Sequence, residues 1–519
     1  MVISAHILAL VSLVFFIVLC ARYYTHMFQL NSYTEKVQLS WIGQNFIRYV
    51  PAIIVGVAAF VCGFFEAREY VYAYLILALA AILMALCYLP KKAKKPIVYT
   101  ARVKRLLATF GLLIIIVGAL AVLMGESGEF LLLGAAAALS PLAIILANII
   151  NAPMEKAVRN HYIKDAKKLL KSHKRLKIIG ITGSFGKTSV KYYLTALLGA
   201  KYNVLMTPES YNTPMGVVKT IRGSLRATHD ICVCEMGAKS VGDIKELCDI
   251  VEPHHGMVTS IGEQHLESFG SVQNIINTKY EMADGIPAEG KLFINISSET
   301  VYKNRPSRNA ITYGLTPEAD YFADNIAVSG SGTTFTLHHG DESEEYRTRL
   351  IGEANVVNIV GAIAAAHDAY GISLSELRSP VASLKSVPHR MELLDRGGMI
   401  IIDDAFNSNP AGAAAALRTV ALFDAVKIIV TPGMIELGEK SDELNAGLGA
   451  NAAAVCDYIV AVGEKQAKPI VKGAKDAGFD ESRIHVAKTF TAAMEFVNSI
   501  NAGGKKKVVL LENDLPDNF

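Results

Sequence analysis

The sequence predicts an α/β protein that carries a helical membrane part at its N-terminus. Residues 1–150 consist mainly of long apolar runs, whereas residues 151–519 alternate short apolar runs with charged, helix-like segments. The mean hydropathy of +0.32 therefore averages over two unlike parts. At roughly 150 residues a domain, the second part is long enough for two or three domains. The net charge of +3 neither favours nor excludes binding of nucleic acid, and we predict no nucleic-acid partner.

Five segments of the first part are apolar enough to cross a bilayer, which takes roughly 20 residues. They are residues 3–21, 50–65, 71–89, 106–124 and 130–150. The second segment is short and contains Pro51. The alternative is therefore four spans and a re-entrant hairpin, which would move the N-terminus to the other side and leave the C-terminal part in place.

Basic residues indicate the orientation, because short cytoplasmic loops are enriched in lysine and arginine. With five spans, every basic loop lies on the side where the chain continues after residue 150. The residues concerned are Arg22, Lys36, Arg48, Lys91, Lys92, Lys94, Lys95, Arg102, Lys104, Arg105, Lys156, Arg159, Lys164, Lys167 and Lys168. We therefore predict a multi-pass protein of the cell membrane with its N-terminus outside and its C-terminal part in the cytoplasm. The charged residues 151–175 then form a cytoplasmic linker helix.

Residues 181–190, ITGSFGKTSV, follow a short apolar run and predict a phosphate-binding loop between a strand and a helix. Gly183 and Gly186 let phosphate oxygens approach the backbone, and the N-terminus of a helix favours an anion. Lys187 is then placed to neutralise the β- and γ-phosphates, and Thr188 to bind Mg²⁺. The usual pattern has a further glycine five residues before Gly186, which this chain lacks. A purely structural glycine turn therefore remains the alternative.

The loop also resembles that of the Mur ligases, the ATP-dependent ligases that add amino acids or dipeptides to the peptidoglycan precursor. Further stretches resemble this family in the same order, and they match best its MurF branch, which adds D-alanyl-D-alanine. They are TPESYNTPMG (207–216), CEMGAKSVGDI (234–244), VTSIGEQHLESFGS (258–271), NTKYEM (277–282), LFIN (292–295), GEANVVNIVGAIAAA (352–366), PHRMELL (388–394), DDAFNSNP (403–410) and GMIELG (433–438). The resemblance implies a central ATP-binding domain at 176–386 and a Rossmann-like C-terminal domain at 387–519.

The family joins a carboxylate to an amine through an acyl phosphate, which requires Mg²⁺ ligands and cations near the γ-phosphate of ATP. The resemblance makes Glu235 a Mg²⁺ ligand and His265 a helper at a second Mg²⁺, with a surface glutamate and a loop histidine as the alternatives. Lys279 takes the position of a lysine that CO₂ converts to a carbamate, and an unmodified helix lysine is its alternative. With Lys187 these residues form the predicted catalytic set, and with Thr188 the predicted metal site.

The resemblance also implies contacts to ATP outside the loop. Asn295, Asn355 and Asn358 take positions around the adenine, although Ala354 stands where the family usually has histidine. In the C-terminal domain Arg390 offers a planar fork for a phosphate or a carboxylate, and a structural salt bridge explains it almost as well. The full predicted set is Gly183, Ser184, Gly186, Lys187, Thr188, Ser189, Asn295, Asn355, Asn358, Arg390, Asp404 and Asn407.

Both ends of the chain depart from the MurF pattern. Mur ligases begin with a soluble domain that binds the UDP end of the precursor, and about 25 residues between the last apolar segment and the first strand are too few for one. The membrane part therefore stands in its place. The chain ends VVLLENDLPDNF where MurF relatives often have a KGS-type loop, so recognition of the amine donor stays open.

These patterns predict a membrane-anchored, MurF-like ATP-dependent ligase of cell-wall precursor synthesis that uses ATP and Mg²⁺. Its acceptor is a UDP-linked or lipid-linked precursor, its donor is D-Ala-D-Ala or an amino acid, and its membrane part contacts lipid. Two alternatives remain. One is a ligase for another envelope polymer, such as poly-γ-glutamate, and the other is a non-catalytic nucleotide sensor on a membrane anchor.

Overall fold

The computed structural model describes residues 2–64, 71–90, 95–209, 211–306, 310–329, 332–406, 408–464 and 467–514. The chain forms two compact units, the first built on Met1–His161 and the second on Tyr162–Leu515. All the predicted site residues belong to the second unit.

The first unit is helical. Its helices are α1 (Val2–Leu30), α2 (Glu35–Gln44), α3 (Val50–Gly63), α4 (Val71–Ala85), α5 (Ala101–Leu123) and α6 (Gly125–Ser172). Within the described residues, four helices are long and apolar enough to cross a membrane, namely α1, α4 with the turn that extends it to Tyr88, α5 and α6.

Helix α3 corresponds to the predicted second span at 50–65, but it has only 14 residues. Pro51 lies in its first turn, where the missing N–H of proline removes no helical hydrogen bond. Residue 65 lies outside the described residues. The first unit therefore has four helices of spanning length and one shorter apolar helix where the sequence predicted five spans.

Helix α6 is longer than predicted. It runs for 48 residues without a break and includes both Pro141 and Pro153. The predicted linker helix at 151–175 is therefore not a separate element, because its residues as far as Ser172 continue the helix that the last apolar segment begins. Proline usually kinks or breaks a helix, but neither proline ends this one, and the change from apolar to charged residues near residue 150 lies within the helix.

The first sheet of the second unit has nine strands among the described residues, in the order β2-β3-β1-β4-β5-β6-β7-β8-β9. The strands are β1 (Lys177–Thr182), β2 (Val204–Met206), β3 (Ile231–Glu235), β4 (His255–Val258), β5 (Leu292–Asn295), β6 (Ile311–Gly314), β7 (Tyr321–Ser329), β8 (Gly332–His339) and β9 (Glu342–Thr348). Strands β1 to β7 pair in parallel, and β7, β8 and β9 pair antiparallel.

Helices cover both faces of this sheet. They are α7 (Lys187–Leu198), α8 (Pro214–Ser224), α9 (Asp243–Val251), α10 (Leu266–Phe269), α11 (Val272–Gly285), α12 (Glu299–Lys303), α13 (Glu353–Asp368) and α14 (Arg378–Ala382). Ile179 and Ile181 of β1 pack with α7 and α13, whereas Ile178 packs on the opposite side with α8, α9 and α11. Burial on both faces explains why the central strands read as continuous apolar runs.

The second sheet has six strands among the described residues, in the order β10-β11-β15-β12-β13-β14, and only β10 is antiparallel. The strands are β10 (Glu392–Asp395), β11 (Met399–Asp404), β12 (Val426–Thr431), β13 (Tyr458–Val462), β14 (Ile484–Ala487) and β15 (Lys507–Glu512). The accompanying helices are α15 (Pro410–Ala421), α16 (Ser441–Ala453), α17 (Ala467–Asp476) and α18 (Phe490–Ser499). Ligands of open parallel sheets bind at the carboxyl ends of the strands, so these ends are where a site is expected.

Candidate active site

The glycine loop, residues 183–186, joins the carboxyl end of β1 to the first residue of α7. Gly183 and Gly186 have φ angles of 149° and 83°, which only glycine adopts without strain. A methyl group on Gly183 would lie 2.9 Å from the Ser260 nitrogen and closer still to the Thr259 hydroxyl. The loop is therefore built for glycine, and it leaves the N-terminus of α7 free to face an anion.

The segment after β4 fixes the shape of the glycine loop. The Ser184 N–H donates to the Ser260 carbonyl at 2.8 Å, and the Phe185 N–H donates to the Ser260 hydroxyl at 2.7 Å. The Ser184 hydroxyl donates to the Gly262 carbonyl at 3.1 Å. The predicted ATP ligand Ser184 therefore uses its side chain to anchor the loop, and its neighbour Ser189 is buried against the Tyr193 hydroxyl.

Lys187 folds back over the loop. Its ammonium group donates to the carbonyls of Gly183 at 2.7 Å and Ser184 at 2.9 Å. Withdrawal from water lowers the pKa of Lys187 to about 8, although the Glu235 carboxylate acts in the other direction. The Lys187 ammonium group thus lies at the N-terminus of α7, which is the position that the sequence predicts for a phosphate-binding lysine.

Glu235 ends strand β3 and is buried next to the first turn of α7. Its Oε1 accepts hydrogen bonds from the Thr188 hydroxyl at 3.2 Å and the Asn212 amide at 3.0 Å, and its Oε2 lies 3.0 Å from the Lys191 ammonium. Burial alone raises the pKa of Glu235, but Lys191 and Lys187 outweigh that effect and lower it overall. The structure therefore brings an ionised carboxylate against the Thr188 hydroxyl, which is the pair predicted to bind Mg²⁺.

The sequence reasoning missed Lys191 and Asn212. Lys191 is wholly buried and forms the ion pair that compensates Glu235. It follows Lys187 by four residues, so both lysines lie on one face of α7, and this spacing was the available signal. Asn212 lies within a stretch that already carried the family resemblance.

Lys279 lies on α11, and its side chain is buried. It forms no hydrogen bond or ion pair with any residue that the structure describes. Burial, together with the nearby charge of Lys187, holds the pKa of Lys279 well below the usual value for lysine. A buried lysine without a partner is costly when charged, so these surroundings favour the neutral, nucleophilic form of the amine.

His265 connects the two sheets of the second unit. Its Nδ1 is hydrogen-bonded to the carboxylate of Glu436, which follows β12, and the Lys239 ammonium lies 3.2 Å from the same carboxylate. His265 has a φ angle of 54°, an uncommon value that fixes its direction. A second link between the same regions joins Lys440 to Glu263 at 2.7 Å. Glu436 was not predicted, because its role depends on contact between distant parts of the chain.

The three predicted adenine-side asparagines have different surroundings. Asn295 donates to the Thr259 carbonyl at 2.8 Å and accepts from the Ser297 N–H at 3.0 Å. Asn358 faces the loop, because its Oδ1 lies 2.7 Å from where a methyl group on Gly186 would be. Its position agrees with a site at the loop.

Asn355 has contacts that the sequence did not predict. It is buried, accepts a hydrogen bond from the Tyr193 hydroxyl at 2.7 Å and donates to the Ile351 carbonyl at 2.9 Å. Its amide therefore stabilises the start of α13 against α7.

Two of the three residues predicted in the C-terminal domain are described, and Asn407 lies outside the described residues. Arg390 donates to the Phe406 carbonyl at 2.9 Å and lies over the Phe406 ring at 4.3 Å. Its positive charge helps to lower the pKa of Lys187, so it lies near the glycine loop. Asp404 accepts a hydrogen bond from the Met391 N–H at 3.2 Å.

Asp403 faces the opposite side of the sheet from Asp404, because successive residues of a strand alternate. Its carboxylate lies 2.8 Å from Nδ1 of His389, and Glu392 completes a group of three possible ligand atoms within 4.8 Å of one another. His389 is exposed. This group lies on the other face from the residues described above.

Comparison with known proteins identifies the family. Residues 181–366 match the model of the Mur ligase middle domain, and residues 389–512 match that of the Mur ligase, glutamate ligase domain. Together they cover more than half of the chain. The chain belongs to the Mur ligase family. The resemblance seen in the sequence is therefore confirmed.

Several Mur ligases of the MurF type are similar to this chain. It is 32% identical over 277 residues to the UDP-N-acetylmuramoyl-tripeptide–D-alanyl-D-alanine ligase of Bacillus subtilis (strain 168), which covers 53% of this chain and 60% of that enzyme. MurF from Acinetobacter baumannii superposes with a TM-score of 0.62 at 27% identity, over 68% of this chain and 77% of that one. MurF from Thermotoga maritima in complex with ADP gives a TM-score of 0.61 at 25% identity, over 69% and 80%.

The similarity does not extend over whole chains. The match spans less than two thirds of the length of the Bacillus subtilis enzyme. Neither family model reaches the first 180 residues of this chain, which include the apolar helices. The Mur ligase similarity thus belongs to the second unit.

We expect Gly183→Ala to weaken binding of ATP–Mg²⁺ by roughly tenfold or more, about 1.4 kcal/mol, because the added methyl group displaces Ser260 or Thr259 and reshapes the loop. Gly223→Ala is the matched control, since a methyl group there meets no atom within 4 Å. Isothermal titration of ATP–Mg²⁺ into the purified full-length variants measures the effect. Equal affinities for the wild type and Gly183→Ala would contradict the assignment of the loop.

Proposed function

We propose that this chain is a membrane-anchored, ATP-dependent, ADP-forming ligase that joins a carboxylate of a cell-wall precursor to an amine, in the manner of MurF. The observation that carries the proposal is the arrangement at the glycine loop, where Lys187 and the Thr188–Glu235 pair lie together and the buried Lys279 is close enough for the charge of Lys187 to lower its pKa. The MurF relatives support the same reaction class. A non-catalytic sensor would need only the buried charged residues that bind the nucleotide.

The residues suit phosphoryl transfer to a carboxylate. A carboxylate oxygen of the acceptor attacks the γ-phosphorus of ATP, and ADP leaves. Backbone N–H groups of the loop and the ammonium of Lys187 stabilise the charge on the phosphoryl oxygens, and Arg390 adds a second cation nearby. The donor amine then attacks the carbon of the acyl phosphate, and phosphate leaves as the amide forms.

The donor set next to the loop fits Mg²⁺. The Thr188 hydroxyl and a Glu235 carboxylate oxygen lie 3.2 Å apart, and a hard divalent cation prefers such oxygens. We assign the first ion to these two residues and the second to His265 and a carbamylated Lys279. When bound, Mg²⁺ supplies charge neutralisation between the phosphates.

Lys279 has the properties that carbamylation requires. Its amine is buried and has no hydrogen-bond or ion-pair partner among the described residues, and burial holds its pKa well below the usual value for lysine. Its nitrogen forms a bond to the carbon of CO₂ and loses a proton, so that a negatively charged carbamate replaces the amine.

We further propose that α1, α4, α5 and α6 cross the cell membrane and that the second unit lies in the cytoplasm, where ATP is available. Apolar side chains such as Ile7, Val11, Val18, Ile115 and Leu123 are exposed along α1 and α5, as expected of surfaces that contact lipid. The basic residues next to the helices favour this orientation, with the N-terminus outside if α3 also crosses.

A membrane anchor favours an acceptor at the cytoplasmic leaflet. Neither family model matches the region in which other Mur ligases bind the UDP end of the precursor. We therefore propose a lipid-linked or UDP-linked precursor as the acceptor and D-Ala-D-Ala or an amino acid as the donor. A ligase for another envelope polymer would use the same chemistry with a different acceptor.

The decisive experiment measures phosphate release by the purified full-length chain with ATP, Mg²⁺, D-Ala-D-Ala and either a UDP-linked or a lipid-linked precursor. We expect Lys187→Ala to lower turnover by roughly a hundredfold or more, because the cation at the transferring phosphate is lost. Lys201→Ala serves as the control, since Lys201 is exposed at the other end of α7. Turnover that survives Lys187→Ala would contradict the proposal, and ATP binding without turnover for any acceptor would favour the sensor.

We expect Lys279→Ala to abolish turnover and short carboxylates such as acetate or propionate to restore part of it, because they replace the carbamate oxygens. Lys245→Ala, which changes an exposed lysine on the neighbouring helix α9, should behave as the wild type. Phosphate release with and without the added acid measures rescue, and mass spectrometry after trapping of the carbamate measures the modification. The carbamate assignment fails if neither rescue nor trapped CO₂ is found.

We expect a cysteine at Glu126 to react with a membrane-impermeant maleimide in intact cells, and a cysteine at Lys167 to react only after lysis. Both positions lie on α6, near opposite ends of its 48 residues, so the pair tests one crossing whatever α3 does. Each is introduced in a Cys87→Ser background because Cys87 is exposed. The reverse labelling pattern would exclude a cytoplasmic active site.

A further inference from the structure

Two carboxylates lie side by side at the carboxyl edge of the second sheet. Asp404 ends β11 and Glu512 ends β15, and the two residues are register partners in this parallel pair. Paired residues of neighbouring strands direct their side chains to the same face. Both carboxylates therefore face the same space, at the edge of the sheet where ligands of such folds bind.

Glu512 is buried, and only one of its two carboxylate oxygens is hydrogen-bonded within the described residues. Its residue is 1% exposed, and its Oε1 accepts a hydrogen bond from the Ser408 hydroxyl. Its Oε2 is buried without a hydrogen-bond partner among the described residues. An acceptor left in this state is costly, which indicates that a donor completes the site during the working cycle.

Asp404 is the more exposed carboxylate of this pair. It is partly exposed, and the Met391 N–H donates to its Oδ1. The charge of Arg390 acts to lower the pKa of Asp404, yet no ion pair joins Asp404 or Glu512 to a basic residue within the described chain. Burial raises the pKa of Asp404 to about 6, and burial together with Asp404 raises that of Glu512 well above its usual range.

The pair borders the candidate active site. Asn513 follows Glu512, accepts a hydrogen bond from the Ser408 N–H at 3.2 Å and donates to the Gly433 carbonyl at 2.6 Å. Gly433 begins the segment that carries Glu436, whose carboxylate contacts His265 of the first sheet. Arg390, which influences Asp404, also influences Glu235. A group bound at the carboxylate pair therefore lies next to the residues assigned to ATP.

We propose that Glu512 and Asp404 form the binding subsite for the ammonium group of the amine donor. The proposal rests on the proposed function, which supplies an amine as the second substrate. An ammonium group carries a positive charge and three N–H donors, and this matches two carboxylates with an unused acceptor. A carboxylate or a phosphate would be repelled there.

Proton release offers a readout that a merely structural carboxylate would not give. Burial and the neighbouring Asp404 raise the pKa of Glu512, so the empty subsite favours the protonated carboxyl. A bound ammonium favours the ionised carboxylate, so binding expels up to about one proton per donor. Asp404 and Arg390 are the charged groups that influence this titration, and Ser408 donates to the carboxylate in either state.

The test uses the full-length protein in detergent, loaded with a non-hydrolysable ATP analogue and Mg²⁺. Isothermal titration compares D-Ala-D-Ala, glycine and D-alanine with their N-acetylated forms, in buffers of different ionisation enthalpy. The wild type is expected to bind a free amine, to lose at least tenfold in affinity on N-acetylation and to release a proton.

Glu512→Gln keeps the volume of the side chain and the acceptor for Ser408 but loses the charge. It is expected to weaken binding of the free amine at least tenfold and to abolish proton release, with the affinity for the ATP analogue unchanged. Asp404→Asn should weaken binding in the same direction. Asp424→Asn is the control, because this carboxylate is 93% exposed and pairs only with the surface residue Lys505 among the described residues.

Three outcomes would overturn the proposal. They are equal binding of free and N-acetylated probes, unchanged affinity in Glu512→Gln, and absence of binding of every free amine to protein that binds the ATP analogue. A loss of bound Mg²⁺ in Glu512→Gln would instead reveal a metal site. Failure of the subsite alone leaves ATP-dependent phosphate release with an acceptor and donor intact, whereas failure of the ligase function removes that release in the wild type.

Discussion

The contact of Glu235 with Lys191 and Thr188 is the constraint on which the active-site region depends. A buried carboxylate is stable only when its charge is compensated, and Lys191 compensates it from within the helix that follows the glycine loop. This ion pair therefore ties the end of β3 to α7. It also keeps an ionised oxygen next to the Thr188 hydroxyl, so the same interaction that stabilises the fold prepares a site for a cation.

The second sheet completes this region from the other side. Arg390 contributes a positive charge near the loop, and Glu436 contacts His265. The contact of Glu436 with His265 joins loops at the carboxyl ends of strands from both sheets, which is where ligands of such sheets bind.

The sequence predicted the parts of the site that depend on local spacing. The glycine loop, Lys187, Thr188 and Glu235 follow from the ends of strands and from distances along one helix. It did not predict Lys191 or Glu436, because their roles arise from packing between distant segments. The contacts of Asn355 with Tyr193 and Ile351 were not predicted, since a helix pattern does not say which neighbours an amide will contact. The continuity of α6 was missed because the sequence changes from apolar to charged residues within one helix.

Amide synthesis requires the donor first as an ammonium ion and then as a neutral amine, and the carboxylate pair affects both steps. The donor arrives as an ammonium ion, which carboxylates bind well, but only the neutral amine can attack an acyl phosphate. An aqueous carboxylate is too weak a base to remove that proton. Asp404 and Glu512 lie side by side, and their raised pKa values bring their basicity closer to that of an amine. A subsite of this kind can bind the cation and still accept its proton, which a lysine at the same place could not do.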